Sequence, residues 1–236
     1  MADLNALTKK IEWAIDALDE SGLHRFRRSN PGPLLEACID GDAARLRKHI
    51  AKARPTVASV RQHGTMPLVA AAVSGSLPVV NLLLDLGLDV EDVRAEDCAA
   101  FRKACACSRA DIVARYLGMG LTLEDLRALD NDALVSAASD GALEVVRALF
   151  AAGLGAFDAQ ARGGEALSLA VAHGFADVAE ELLAAGAKPT PESLRMLRRH
   201  GQISARVLAR WEGTREMAWA SGPDAFERWL SEQELD

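Results

Sequence analysis

The chain has 236 residues, 50% of them hydrophobic and 26% charged, with a net charge of −7, a balance that excludes a disordered chain and suits a folded one. The negative total argues against general affinity for nucleic acid, whose phosphates demand a basic face. No stretch approaches the roughly 20 apolar residues of a membrane helix, the opening residues lack a signal peptide's apolar core, and four cysteines are too few for a disulfide framework. A reducing cytoplasm is the expected compartment.

Read in chain order, Leu4, Leu7, Ile11, Ala14 and Leu18 fall at helical spacing among charged residues. They predict a capping helix over residues 3–20, with the first 31 residues as cap and linker. A 33-residue period follows. Gly75, Ser108, Gly141 and Gly174 form one ladder, and Gly87, Gly120, Gly153 and Gly186 a second. A fixed step of this length marks stacked repeats, each packed only on its neighbours.

Within each step an apolar residue opens a helix: Leu34, Leu68, Phe101, Leu134 and Leu167. Three residues on come Ala37, Ala71, Ala104, Ala137 and Ala170, where closely approaching helices need a small side chain. After the first glycine ladder a second helix carries Val79-Val80, Ile112-Val113, Val145-Val146 and Val178-Ala179, with Leu83, Tyr116, Leu149 and Leu182 on the same face. The second ladder then stops it, since glycine adopts the left-handed conformation of a helix end without steric cost.

The segment Met66-Pro67-Leu68-Val69-Ala70-Ala71-Ala72-Val73-Ser74-Gly75, continuing through Val79-Val80 and Leu82-Leu83-Leu84 to Gly87, resembles the ankyrin-repeat family. The resemblance implies an all-α solenoid of about five helix-turn-helix repeats, near residues 32–64, 65–97, 98–130, 131–163 and 164–189, with helical caps at both ends. It departs from the family in two ways. The Thr-Pro-Leu-His opening never appears whole, Val69, Arg102, Val135 and Ser168 holding the histidine's place, and the first repeat is eroded, with Arg45 and His49 at apolar positions. The connecting segments Val90–Asp97 and Leu123–Asp130 are near copies 33 residues apart. The resemblance implies projecting hairpins there, whereas their own residues fit a helical turn equally well.

Residues 190–236 read as a degenerate repeat and an aromatic cap holding Trp211, Trp219 and Trp229, with self-association through Trp219 to Leu230 as an alternative use. No phosphate-binding glycine loop, zinc-protease motif or nucleophile elbow is present, and neither enzymatic activity nor a cofactor is expected. Cys98, Cys105 and Cys107 lie close in sequence, but residues two apart on a helix diverge, so a metal is not expected. A metal- or small-ligand-responsive regulator built on this cluster or on the C-terminal aromatic segment is one alternative, a self-associating structural subunit another. Cys38 and Cys105 read as buried small side chains, Cys98 and Cys107 as the more exposed pair. Basic residues gather toward both ends, while residues 81–132 hold 11 acidic against 6 basic side chains, a polarity able to steer a partner.

The resemblance also implies a function: a rigid surface that binds another protein on its concave face and loop tips. The matching concave positions are Ile39, Asp40, Val73, Ser74, Ala106, Cys107, Ser139, Asp140, Ala172 and His173. The matching tips are Gln62, His63, Glu96, Asp97, Leu129, Asp130 and Arg162.

Overall fold

The computed structural model describes residues 32–190 and Ser193. The capping helix expected over residues 3–20 and the aromatic segment with Trp211, Trp219 and Trp229 lie outside the described residues. Among these the chain is wholly helical, with no strand. It divides into two compact units, one ending at Leu129 and one beginning at Asp130.

In the first unit, α1 (Pro33–Ile39) turns into α2 (Ala43–Ala53), and α3 (Val57–Arg61) follows. Next come α4 (Met66–Ser74) and α5 (Leu77–Asp85), then α6 (Val90–Ala106), α7 (Ala110–Leu117) and α8 (Leu123–Leu126). The inner helices α1, α4 and the second half of α6 pack side by side, with the outer helices α2, α5 and α7 behind them. Helix α9 (Ala128–Ser139) leads into the second unit, followed by α10 (Leu143–Ala151), α11 (Ala156–Ala159), α12 (Ala161–Ala172) and α13 (Ala176–Ala184). There α12 packs on α13, and the outer helices α10 and α13 meet.

The alanine positions explain how closely the inner helices approach. Ala37, Ala71, Ala104, Ala137 and Ala170 are all fully buried. Behind them Val79, Val80 and Leu83 of α5, and Ile112, Val113 and Tyr116 of α7, are fully enclosed, as are Val146 and Leu149 of α10. Helix α2 differs, for Leu46 is its one buried residue. Arg45 holds the position of Val79 in the next pair and turns instead to Glu36 of α1 and to Asp40 at its C-terminal end, with which it forms ion pairs. Here polar contacts stand in for part of a core.

The first glycine ladder reflects close approach between successive pairs. At Gly75, φ is +73° and an added Cβ would lie 2.7 Å from the guanidinium carbon of Arg109. That guanidinium lies flat on the glycine, and its Nη2 donates to the Val73 carbonyl at 3.0 Å. In the second unit the residue two repeat-steps further along, Phe175, does the same with its ring. A Cβ on Gly141 (φ +70°) would meet Phe175 Cδ1 at 2.5 Å.

The connecting segments are helical turns, the reading that their own residues allowed, rather than hairpins. Thr56, Asp89 and Thr122 cap them by accepting bonds from backbone N–H groups, and Asp92 and Asp125 return the bond to the capping residue. This capping box satisfies donors that a helix start leaves orphaned. After the later turns, those that begin at Asp89, Thr122 and Gly155, the backbone reverses hand. Glu96, Asp97 and Cys98 all have φ between 54° and 58°, Leu129, Asp130 and Asn131 between 50° and 62°, and Arg162, Gly163 and Gly164 between 52° and 80°. Three successive left-handed residues sharply reverse the chain so that the next inner helix can start. For residues with a Cβ this costs roughly 1–2 kcal/mol each.

Candidate functional site

Two sets of side chains remain outward in each unit once the core is built: the C-terminal ends of the inner helices and the tips that the left-handed turns project. In the first unit's inner-helix set, Asp40 is exposed and bonded to Arg45, while Ser74, Ala106 and Cys107 are half-buried. Ile39 and Val73, expected on this surface, are buried at 5% and 7% exposure. The tight packing of α1, α4 and α6 encloses these larger side chains, leaving little of either for a partner. Ser74 Oγ donates to the Ala71 carbonyl at 3.0 Å, so its hydroxyl is aimed back into its own helix.

The second unit presents Ser139 and Ala172 half-buried, with Asp140 and His173 exposed. His173 Nδ1 lies 2.7 Å from the Ser139 carbonyl, a separation that makes this nitrogen the protonated donor. Its ring meets Phe175 edge-on at 6.1 Å between centroids. The imidazole is thus held in place beside Asp140, whose carboxyl is raised above its ordinary value by partial desolvation, with the histidine acting against the rise.

At the tips, Gln62, Glu96, Asp97, Leu129, Asp130 and Arg162 are exposed and His63 is half-buried. Glu96 reaches back to accept from Thr65 Oγ1 at 2.8 Å. The Asp97 carbonyl accepts from Arg102 Nε at 2.8 Å. Arg162 lies within 3.5 Å of Asp132 and 4.0 Å of Asp130. The left-handed turns place Glu96, Asp97, Leu129, Asp130 and Arg162 outward, while Gln62 and His63 follow the end of α3.

Behind the tips runs an ion-pair ladder that the sequence reading missed. Arg61 Nε donates to Asp92 at 2.8 Å, with Asp89 beside it at 3.1 Å. One repeat-step later Arg94 Nε donates to Asp125 at 3.0 Å and also pairs with Glu91. Arg61 holds the Asp92 carboxyl below its ordinary range, outweighing partial burial. For Asp125, burial pushes upward, but bonds from the Thr122 N–H and hydroxyl and from Arg94 prevail and lower it. The signal was present in the near copies 33 residues apart, each with an aspartate two residues before an arginine. Spacing within one segment does not disclose that the bond runs to the next.

The cysteines do not converge on a metal site. Among the described residues no group of three or more His, Cys, Asp or Glu side chains is placed to hold an ion. Cys38 and Cys105 are buried as expected, and Cys107 is half-buried. Cys98, expected to be exposed, is instead buried, because the left-handed turn rotates its side chain inward, 4.0 Å from Asp125. Burial, aided by the Asp125 charge, pushes its thiol up to about 11, and burial lifts Cys38 to about 12.

No helix among the described residues is long and apolar enough to cross a membrane. The sequence matches no family model and no curated protein, in keeping with the missing Thr-Pro-Leu-His opening. Solved structures do resemble the fold. The crystal structure of the ankyrin repeat protein EF0377 is 24% identical, with a TM-score of 0.58 over 76% of this chain and 98% of that one. An ankyrin repeat domain from Acinetobacter baumannii AYE (ABAYE2397) is also 24% identical, with a TM-score of 0.56 over 75% of this chain and 97% of that one. Alanine-packed inner helices, outer helices behind them and connecting turns at a 33-residue step thus make up an ankyrin-repeat fold.

Proposed function

We propose that the protein is a non-enzymatic binding module that holds another protein on the concave, inner-helix side of its repeats and on the adjoining tips. The observation that supports this most is how the side chains divide. The inner-helix alanines are fully buried and the same from repeat to repeat. The outward row changes at every step, through Asp40, Ser74, Cys107, Asp140 and His173. Packing fixes the first set, leaving the second to be chosen by a ligand. The helices and turns that present it are already ordered, so little conformational freedom is lost on association.

The test begins with capture of partners by the intact chain and their identification by mass spectrometry, then repeats it with Asp97→Lys and Asp140→Lys combined. Asp97 sits at a tip of the first unit and Asp140 just past an inner helix of the second, and a partner using either should be lost or weakened at least about tenfold, as reversing a charge within an interface does. Retention of every partner at unchanged affinity would count against the surface. Turnover of a small-molecule substrate by the purified chain would count against a non-enzymatic role.

A further inference from the structure

Helix α2 carries a surface that the proposed function does not use. It is the outer helix of the first described pair, so its exposed side faces away from the inner-helix row. Its sequence from Ala43 to Arg54 contains no acidic residue. Arg45 is neutralised by Glu36 and Asp40, but Arg47, Lys48, Lys52 and Arg54 are exposed and form no ion pair among the described residues. At 100° per residue, Arg47, Lys48 and Lys52 cover about 140° of the helix, centred opposite the buried Leu46.

Capping a stack explains why this face is polar but not why it has a single sign. Lys48 and Lys52 stand four residues apart, where like charges repel and an alternating Glu–Lys pattern would attract. The helix dipole favours Lys52, in the last turn, but not Arg47 or Lys48 near the middle. A concentrated cationic face within a chain of net charge −7 stands out against its surroundings.

We infer that this face docks an acidic segment of another protein, a short run of Asp and Glu side chains. The four cations span about 10 Å along the axis, the length of three to four residues of extended chain. A long polyanion such as duplex nucleic acid, or a planar anionic membrane, would bring many more charges against the acidic remainder of the protein. A short acidic segment meets only the basic patch.

The test uses the full chain and a fluorescein-labelled octaglutamate peptide, followed by fluorescence anisotropy at low salt. The wild-type protein should bind it with an affinity that falls as salt is added. Substituting R47A/K48A/K52A should weaken binding about tenfold or more, reflecting the loss of three charge contacts. Alanine favours helix, so unchanged circular dichroism is expected and a folding failure would be visible. Lys188→Glu, a charge reversal at an exposed lysine of the second unit, should leave binding unaltered. The inference fails if octaglutamate does not bind, if an octaglutamine peptide binds as well, or if the alanine variant binds equally. It also fails if duplex DNA or phosphatidylserine vesicles bind α2 more tightly than the peptide, or if sedimentation shows a self-association that the alanine variant abolishes.

Discussion

At the scale of single residues, the first glycine ladder is set by what lies upon it. Gly141 has φ +70° and carries the Phe175 ring where a Cβ would sit, at 2.5 Å from the nearest ring carbon. Gly120 has φ +96° with nothing within 4 Å of its would-be Cβ. Alanine at Gly120 therefore meets only the backbone cost, about 1–2 kcal/mol, whereas at Gly141 it must also displace the ring, for about 2–4 kcal/mol in all. Urea unfolding of the two variants checks this, and Phe175→Ala in the Gly141→Ala background should recover part of the difference. Equal losses would mean that the ring yields freely. Thiol chemistry gives a second residue-scale expectation. Cys38 and Cys98 are buried with thiols raised to about 12 and about 11, and Cys105 is buried too, leaving the half-buried Cys107. Native labelling with a thiol reagent should show one fast site, removed by Cys107→Ser. These contacts were hidden in the sequence because Ser76, Arg109 and Phe175 hold one repeat position with unrelated side chains. The alanine positions were legible because only a small side chain serves there.

At the scale of elements, the connecting turns combine a legible half and an illegible one. Their helical first half could be read from Thr122 and Asp125, which form a capping box, although the family resemblance pointed to hairpins. The reversal of hand after it left no trace. Glu96, Asp97 and Cys98 are ordinary residues that a sequence reading would not place at positive φ, and so Cys98 was expected outside when it is inside. The turn is held from behind by the arginine ladder, which makes the acid limb of the stability curve informative. Asp92 and Asp125 titrate below their ordinary value of 3.8 in the folded chain. The folded state binds those protons less readily than the unfolded state, so each pair contributes fully above that value and is lost as pH falls through the lower, folded one. Asp92→Asn and Asp125→Asn should therefore lower stability at neutral pH and flatten its decline below about pH 4. Both carboxylates are partly buried but their arginine partners reach solvent, so the effect is only partly screened and should shrink modestly with added salt. A decline of unchanged steepness in both variants would place the acid sensitivity elsewhere.

At the scale of the whole molecule, charge and burial are distributed differently along the chain. Residues 32–129 hold equal numbers of acidic and basic side chains, twelve of each, while residues 130–190 hold nine acidic and three basic. The buried alanines and leucines recur in both stretches without regard to that change. A repeat protein can tolerate this because each core position answers to its own pair and the next, whereas the outward positions add no apolar packing between pairs. The consequence is a separation between stability and surface that can be measured in one helix pair. Leu149, fully buried in α10, should cost about 2–5 kcal/mol when replaced by alanine. Asp140, at the end of the preceding inner helix, has a carboxyl raised by desolvation. The folded state favours its protonated form, so the ionised side chain is mildly unfavourable at neutral pH and Asp140→Asn should be neutral or slightly stabilising, within about 0.5 kcal/mol. Denaturant unfolding of both variants decides the matter. Comparable losses would show that the outward row is part of what holds the fold together, and the surface assigned to partner binding would then have to be redrawn.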